Sequence, residues 1–113
     1  MKEIKAIIQP YMLDNVCDAL VQIEGLPGLT VSQVLGFGKT RAVDAENAVM
    51  ENGRAFAKKT KIEVVVPDDM AVSVVDAITR AAHTGKPGDG KIFVCQIAEV
   101  VRIRTGERGE KAV

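Results

Sequence analysis

The sequence predicts an α+β fold, a ferredoxin-like βαββαβ sandwich in which two helices cover one face of an antiparallel sheet. Three observations predict it. Two segments carry apolar residues at helical spacing, strand-like runs surround them in the order β-α-β-β-α-β, and 113 residues suit a single domain. The composition agrees, since 47% apolar and 27% charged residues describe a globular chain rather than a disordered one.

Residues 2–9, KEIKAIIQ, are apolar and β-branched enough for a strand, which Pro10 ends. Tyr11 and Met12 follow in a turn and read as packing residues. Leu13, Val16, Cys17, Leu20 and Val21 recur at helical spacing, with Asp14 in the first turn, where the helix dipole favours an acid. Gly25-Leu26-Pro27-Gly28 breaks this helix, and Leu29, Val31, Leu35 and Phe37 then share a face at period two in a second strand. Residues 38–57 show no consistent period; so long a connection in a compact domain points to a functional loop.

Lys61 to Val66 reads as a third strand closed by Pro67. Asp68 and Asp69 are placed to cap a helix with the stripe Ala71, Val74, Val75, Ile78 and Ala82, and His83 complements the dipole at its end. Thr84 to Gly90, TGKPGDG, cannot continue the helix and forms a tight loop. Ile92 to Ile97 is apolar on both faces, as a central buried strand is. The helices cover one face of the sheet, so association with other subunits is the expected cover of the second.

Lys plus Arg and Asp plus Glu number 15 each, so no global field points to nucleic acid or to an anionic membrane. Phosphate recognition has to be local. No apolar run approaches the roughly 20 residues of a membrane span, so the expectation is a cytoplasmic chain with no membrane insertion. Cys17 and Cys95 read as small buried hydrophobes, and with one His and no CxxC no metal site is expected.

Gly85 to Lys91, GKPGDGK, fits G-x-x-x-x-G-K by letters. A phosphate-binding P-loop follows a strand, opens a helix and places Ser or Thr after its Lys, whereas this stretch follows a helix, opens a strand and continues with Ile92. A Walker-type nucleotidase is therefore disfavoured. Closely spaced glycines expose backbone N–H groups in a nest that suits an anion, with Lys91 beside it, although a plain helix-to-strand turn uses the same glycines. Alternation puts Arg102 and Arg104 on one side of an extended segment, where two guanidinium groups grip phosphate oxygens or simply solvate a basic tail. Gly36-Phe37-Gly38 admits a close ligand or a bulge. His83 has no acid placed in sequence to orient it as a nucleophile.

Together, the segments MKEIKAIIQP, GFG at 36–38, TKIEVVVPDD, AHTGKPGDGKIFV and VVRIRTGERG resemble the PII signal-transduction family, the nitrogen regulatory P-II proteins. They cover most of the chain outside residues 39–57. The resemblance implies one PII-like domain over residues 1–113, with a T-loop at about 38–57, a B-loop at about 84–91 and a C-terminal extension at about 99–113. It implies a homotrimer that holds ATP or ADP between neighbouring subunits. By correspondence, Gly88, Asp89, Gly90 and Lys91 meet the phosphates from one side, and Arg102 and Arg104 come from the neighbouring subunit. Thr30, Gly36, Glu63 and Val65 match the nucleoside side, with Gly38 and Lys39 at the T-loop base.

Thr40 stands where nitrogen-sensing members carry a Gln that helps to hold Mg²⁺ and 2-oxoglutarate, while Lys59 matches the lysine that pairs with that ligand's carboxylate. Thr is shorter than Gln by about two carbons, so its oxygen meets the same metal only through a water or a shifted backbone. The resemblance thus implies ATP or ADP with room for Mg²⁺, and Thr40 argues against 2-oxoglutarate sensing of the standard kind. Asn52 and Asn47 replace the loop tyrosines, and Met50 replaces a serine that some members phosphorylate, which argues against control by modification. The AHTGKPGDG wording resembles divergent members found beside transport systems, including metal-efflux ones.

The expected function is a non-catalytic regulator that controls a target protein, a transporter or an enzyme, through the T-loop. The alternatives are a small nucleotide-dependent phosphotransfer or hydrolytic enzyme using the same cleft, and a ligand-free structural oligomer.

Overall fold

Along the first strand Ile4, Ala6 and Ile8 alternate with Lys5 and Ile7, so one side of it is wholly apolar. In the computed structural model, which describes residues 1–37, 48–51 and 53–113, this strand is β1 (Lys2–Ile8). Gly38, Lys39, Thr40, Asn47 and Asn52 lie outside the described residues. The chain continues through α1 (Leu13–Val21), β2 (Thr30–Gly36), β3 (Ala48–Glu51), β4 (Arg54–Val66), α2 (Ala71–Ala82) and β5 (Gly90–Gln96). The sheet runs β2-β4-β1-β5 with every neighbouring pair antiparallel, and β3 pairs β4.

Both helices pack on the face that carries Ile4, Ala6, Ile8, Ile62, Val64 and Val66, all buried. Helical spacing presents Val16 and Leu20 from α1, and Val74, Ala77 and Ile78 from α2, to the same core. Each large side chain so buried contributes about 1.5–3 kcal/mol of hydrophobic stabilisation. The expected α+β architecture is therefore present, and a family of small differences from the sequence reading has physical causes.

β4 begins at Arg54 rather than Lys61, and part of the expected loop is the strand β3. Gly53, at φ 76°, precedes β4. Periodicity is silent here because it arises only where one face is buried, and Arg54 and Ala55 are exposed. β5 is an edge strand, not a central one; Phe93 and Val94, on opposite faces, are both about half exposed, as is usual for a surface awaiting a partner. Cys95 is accordingly exposed and Cys17 only half-buried. Burial, with Asp14 and Asp18 nearby, pushes the Cys17 thiol up from its ordinary range. Tyr11 is exposed, whereas Met12 packs on the core.

Asp68 and Asp69 make no side-chain cap; they start a 3-10 turn, Asp68–Met70, ahead of α2. Asp68 instead accepts the Met1 ammonium at 2.9 Å, with Lys2 at 3.4 Å, and these cations hold its carboxyl below the usual range.

Gly90 opens β5 opposite Ile8 at φ 106°, and a Cβ built there would lie 1.6 Å from the Ile7 carbonyl oxygen. No side chain fits against that backbone, and L-residues are strained at this φ as well. Gly90→Ala is expected to destabilise the fold by about 3 kcal/mol or more, measured by urea unfolding; a loss below about 1 kcal/mol would mean that the β1–β5 approach relaxes freely.

Candidate functional site

In an antiparallel sheet, residues opposite each other share a face, and the register turns the helix-free face into a grid. One row is Thr30, Glu63, Lys5 and Phe93; the next is Ser32, Lys61, Ile7 and Lys91. Val34 then faces Lys59, and Gly36 faces Ala57; in the other direction Val65 faces Glu3. Thr30, Gly36, Lys59, Glu63, Val65 and Lys91, scattered through the sequence, thus lie on one surface. Lys5, Lys59, Lys61 and Lys91 outnumber Glu3 and Glu63 there. The pairs Glu3–Lys5 at 3.4 Å and Lys61–Glu63 at 3.5 Å are partly exposed and add little stability, but they set the orientation of the acids and leave the surface cationic on balance.

β1 ends at Ile8, opposite Thr60, whereas β3 begins its pairing at Ala57. Lys58 and Lys59 lie between these two ladders. The Lys59 ammonium donates to the Gly88 carbonyl at 2.7 Å, so the strand leading out of residues 38–57 is tied directly to the glycine loop. Its stem runs beside Gly36, whose added Cβ would stand 3.4 Å from Lys59 Cγ. Phe37 and Phe56, with ring centroids 5.7 Å apart, pack together just beyond the end of β2 and beside the start of β4.

The glycine loop is shaped from within. Its Asp89 carboxylate accepts the Thr84 N–H at 2.8 Å, the Gly85 N–H at 3.0 Å and the Thr84 hydroxyl, while the Thr84 Oγ1 accepts the Lys86 N–H at 3.1 Å. The positive φ of Gly85, Gly88 and Gly90 lets the chain wrap around this one acid. Asp89 therefore organises the loop that the family resemblance associates with phosphate. Beside it lies a cleft of about 370 Å³ lined by Ile7, Thr79, His83, Asp89, Gly90 and Lys91 among others. A larger groove of about 550 Å³ between α1 and α2 contains none of the expected site residues.

The C-terminal residues differ from expectation. Arg102 to Gly106 form a turn rather than an extended segment: Arg102 N–H donates to the Glu107 carbonyl at 2.8 Å, Gly106 N–H donates to the Arg102 carbonyl at 2.7 Å, and Val101 bridges Arg108. Gly106, at φ 73°, makes this closure cheap, and the alternation of Arg102 and Arg104 is lost. The Arg102 guanidinium donates to Glu107 Oε1 at 3.1 Å and to the Lys111 carbonyl at 3.2 Å. Arg104 is exposed. The turn follows the end of β5 remote from Gly90, and seven strand residues span roughly 20 Å. Among the described residues, no hydrogen bond or ion pair joins Arg102 or Arg104 to residues 84–91.

Ile7, Ser32 and Lys61 belong to the same face and were not singled out from sequence. Their signal was strand parity: Ile7 follows Lys5 by two residues, which becomes informative once the first strand is paired with the third and last.

The chain matches the model of the family described as "Nitrogen regulatory protein P-II" over residues 1–107. It is 49% identical over 113 residues to nitrogen regulatory protein P-II 1 of Escherichia coli K12, covering all of both chains. It is 48% identical over the same length to the P-II protein of Klebsiella oxytoca, again covering both chains completely. The crystal structure of Arabidopsis thaliana PII bound to citrate superposes with a TM-score of 0.79 at 42% identity, covering 99% of this chain and 91% of that one.

The hydrogen bonds from Thr84, then that from Gly85 and the nearby His83, hold the Asp89 carboxyl below the usual carboxylate range. A carboxyl whose folded pKa is depressed stabilises its surroundings fully above the unfolded value, about 3.9, and loses that effect as pH falls through the folded value. The Asp89 side-chain carboxyl carbon should therefore titrate by NMR with a midpoint below the ordinary value of about 3.9, and Asp89→Asn should remove that titration from the spectrum. A midpoint above 4 would contradict the assignment.

Proposed function

The chain belongs to the nitrogen regulatory protein P-II family, and from that premise we propose that it binds ATP or ADP between the subunits of a homotrimer and signals occupancy to a partner protein through residues 38–57. The observation that carries this reading is the convergence of Thr30, Gly36, Glu63 and Val65 on the sheet face that also holds Lys91 and abuts the glycine loop. On that face Val65 and Ile7 offer apolar contact to a base, and Thr30 and Glu63 offer hydrogen-bonding groups to a nucleoside. Gly88, Gly90 and Lys91 offer N–H donors and a cation to phosphates. Mg²⁺, if it accompanies ATP, would sit on phosphate oxygens, since it prefers to keep oxygen ligands and waters.

The trimer is supported by β5, an edge strand apolar on both faces, and by the separation of the glycine loop from the arginine turn along that strand. Arg102 and Arg104 would then reach the phosphates of a neighbour's nucleotide, exchanging their local contacts for charge-assisted ones. A regulator rather than an enzyme is favoured because Asp89, the acid of the loop, is occupied by Thr84 and Gly85 and is unsuited to act as a base.

The partner reads position 38–57 by docking, and a transporter or an enzyme of the cytoplasmic side fits that role. Lys59 already donates to Gly88, and Thr40 replaces the Gln of nitrogen-sensing relatives, which supports weak 2-oxoglutarate coupling. The related Arabidopsis PII is bound to citrate, so another organic anion is a reasonable reading for the cationic place at Lys59.

Calorimetry should find ATP and ADP binding with negligible turnover in a nucleotidase assay. Lys91→Ala and Arg102→Ala should each cost about 1.5–3 kcal/mol, or about ten- to a hundredfold in affinity, without unfolding the chain. Unchanged affinity in both variants would refute the shared cleft. For the effector, 2-oxoglutarate should shift ATP affinity by less than the roughly 1 kcal/mol of ordinary allosteric coupling, and Thr40→Gln should raise that shift; strong coupling in the wild type would overturn this part.

A further inference from the structure

Of the two arginines in the C-terminal turn, Arg102 is already engaged. Its Nη1 donates to Glu107 Oε1 at 3.1 Å and its Nη2 to the Lys111 carbonyl at 3.2 Å, so both arms of the guanidinium fork are held by the chain itself. Glu107 is aimed at it. The Thr105 hydroxyl donates to the same Oε1 at 3.1 Å and accepts the Glu107 N–H at 3.2 Å. The Arg102 N–H donates to the Glu107 carbonyl at 2.8 Å, which closes the turn and brings the two side chains together. Arg104, by contrast, makes no hydrogen bond or ion pair with another described residue.

We propose that Glu107 sets the affinity of the phosphate site by competing for Arg102: its carboxylate holds the guanidinium arm that a phosphate would take, and binding has to displace it. This rests on the nucleotide reading above. A carboxylate and a phosphate present a guanidinium with the same thing, a negatively charged oxygen acceptor. The Arg102–Glu107 pair is therefore an internal copy of the contact proposed between Arg102 and a neighbour's nucleotide. Turning Nη1 toward that neighbour breaks the bond to Glu107 Oε1, and the cost of breaking it is subtracted from the affinity.

The pair suits an exchange of partners. The two side chains are 38% and 44% exposed, and ion pairs at such positions contribute little to stability. The turn has other supports as well: Gly106 N–H donates to the Arg102 carbonyl at 2.7 Å, Gly109 N–H donates to the Val100 carbonyl at 3.0 Å, and Arg108 pairs with Glu99. Glu107→Gln keeps an oxygen that accepts hydrogen bonds at Oε1 and removes only the charge, so the backbone of the turn stays in place.

The test is calorimetry with ATP and with ADP on wild type, Glu107→Gln and Glu99→Gln, and on Arg102→Ala with and without Glu107→Gln. Glu99→Gln removes an acid of the same segment that pairs with Arg108 instead, and so measures the effect of net charge alone. Glu107→Gln should bind about two- to fivefold more tightly than wild type and than Glu99→Gln, the range of a surface ion pair. That gain should shrink in high salt and vanish in the Arg102→Ala background. Unchanged or weaker binding by Glu107→Gln, or an equal gain in Glu99→Gln or without Arg102, would overturn the competition while leaving the nucleotide site intact. Binding by none of the proteins, wild type included, would overturn the nucleotide reading itself.

Discussion

β1 is paired along both edges, with β4 on one side and β5 on the other, and the position of each candidate site residue on the sheet follows from that double pairing. Its apolar residues Ile4, Ala6 and Ile8 have to face the helices, which fixes the register of both neighbours, since a slip of one residue would turn Ile62 and Val64 outward. Once that register is set, Glu63, Lys61 and Lys91 emerge on the opposite face. The close approach of Gly90 to the Ile7 carbonyl pins the start of β5, and with it the end of the glycine loop. β1 also stops early enough to leave Lys59 exposed to that loop, where it holds the Gly88 carbonyl. Packing on one side of the sheet thereby determines chemistry on the other.

A chain with no net charge concentrates its cations locally. Four lysines share the helix-free face, and the loop beside them contains a single carboxylate whose two oxygens are satisfied by its own neighbours. This division gives a rigid loop and an accessible cationic surface at the same place. The Lys59 contact also provides a physical link between the glycine loop and the strand that continues into residues 38–57, so an anion that competes for Lys59 would be felt at both.

Much of this was legible in the sequence. The helices ending at Val21 and Ala82, the strand of Ile4 and Ile8, and the GKPGDGK loop depend on local pattern, and all are present, although Val21, counted in the stripe of α1, is exposed. What escaped was set by other forces. β5 was read as central because it is apolar on both faces, yet sheet order, which no local pattern encodes, puts it at the edge. β3 and the first half of β4 escaped because solvated strands have no hydrophobic period. Asp68 reads as a cap from sequence, but the chain's own ammonium competes for it from 67 residues away in number and 2.9 Å in space. Arg102 and Arg104 alternate as a strand would, and backbone hydrogen bonds across Gly106 fold them into a turn instead.

The proposal that one nucleotide is held by two chains, the glycine loop at the start of β5 in one and the arginine turn beyond the far end of β5 in its neighbour, is the central claim to test. Mixed assemblies test it most directly. Lys91→Ala and Arg102→Ala chains, each weak in nucleotide binding alone, would be unfolded together, refolded and assayed by calorimetry. If the two residues act on one nucleotide from different subunits, mixed assemblies regain a fraction of sites with wild-type affinity. If the mixture binds no better than the weaker affinities of its separate components, both residues act within one chain or not at all, and the shared site is wrong.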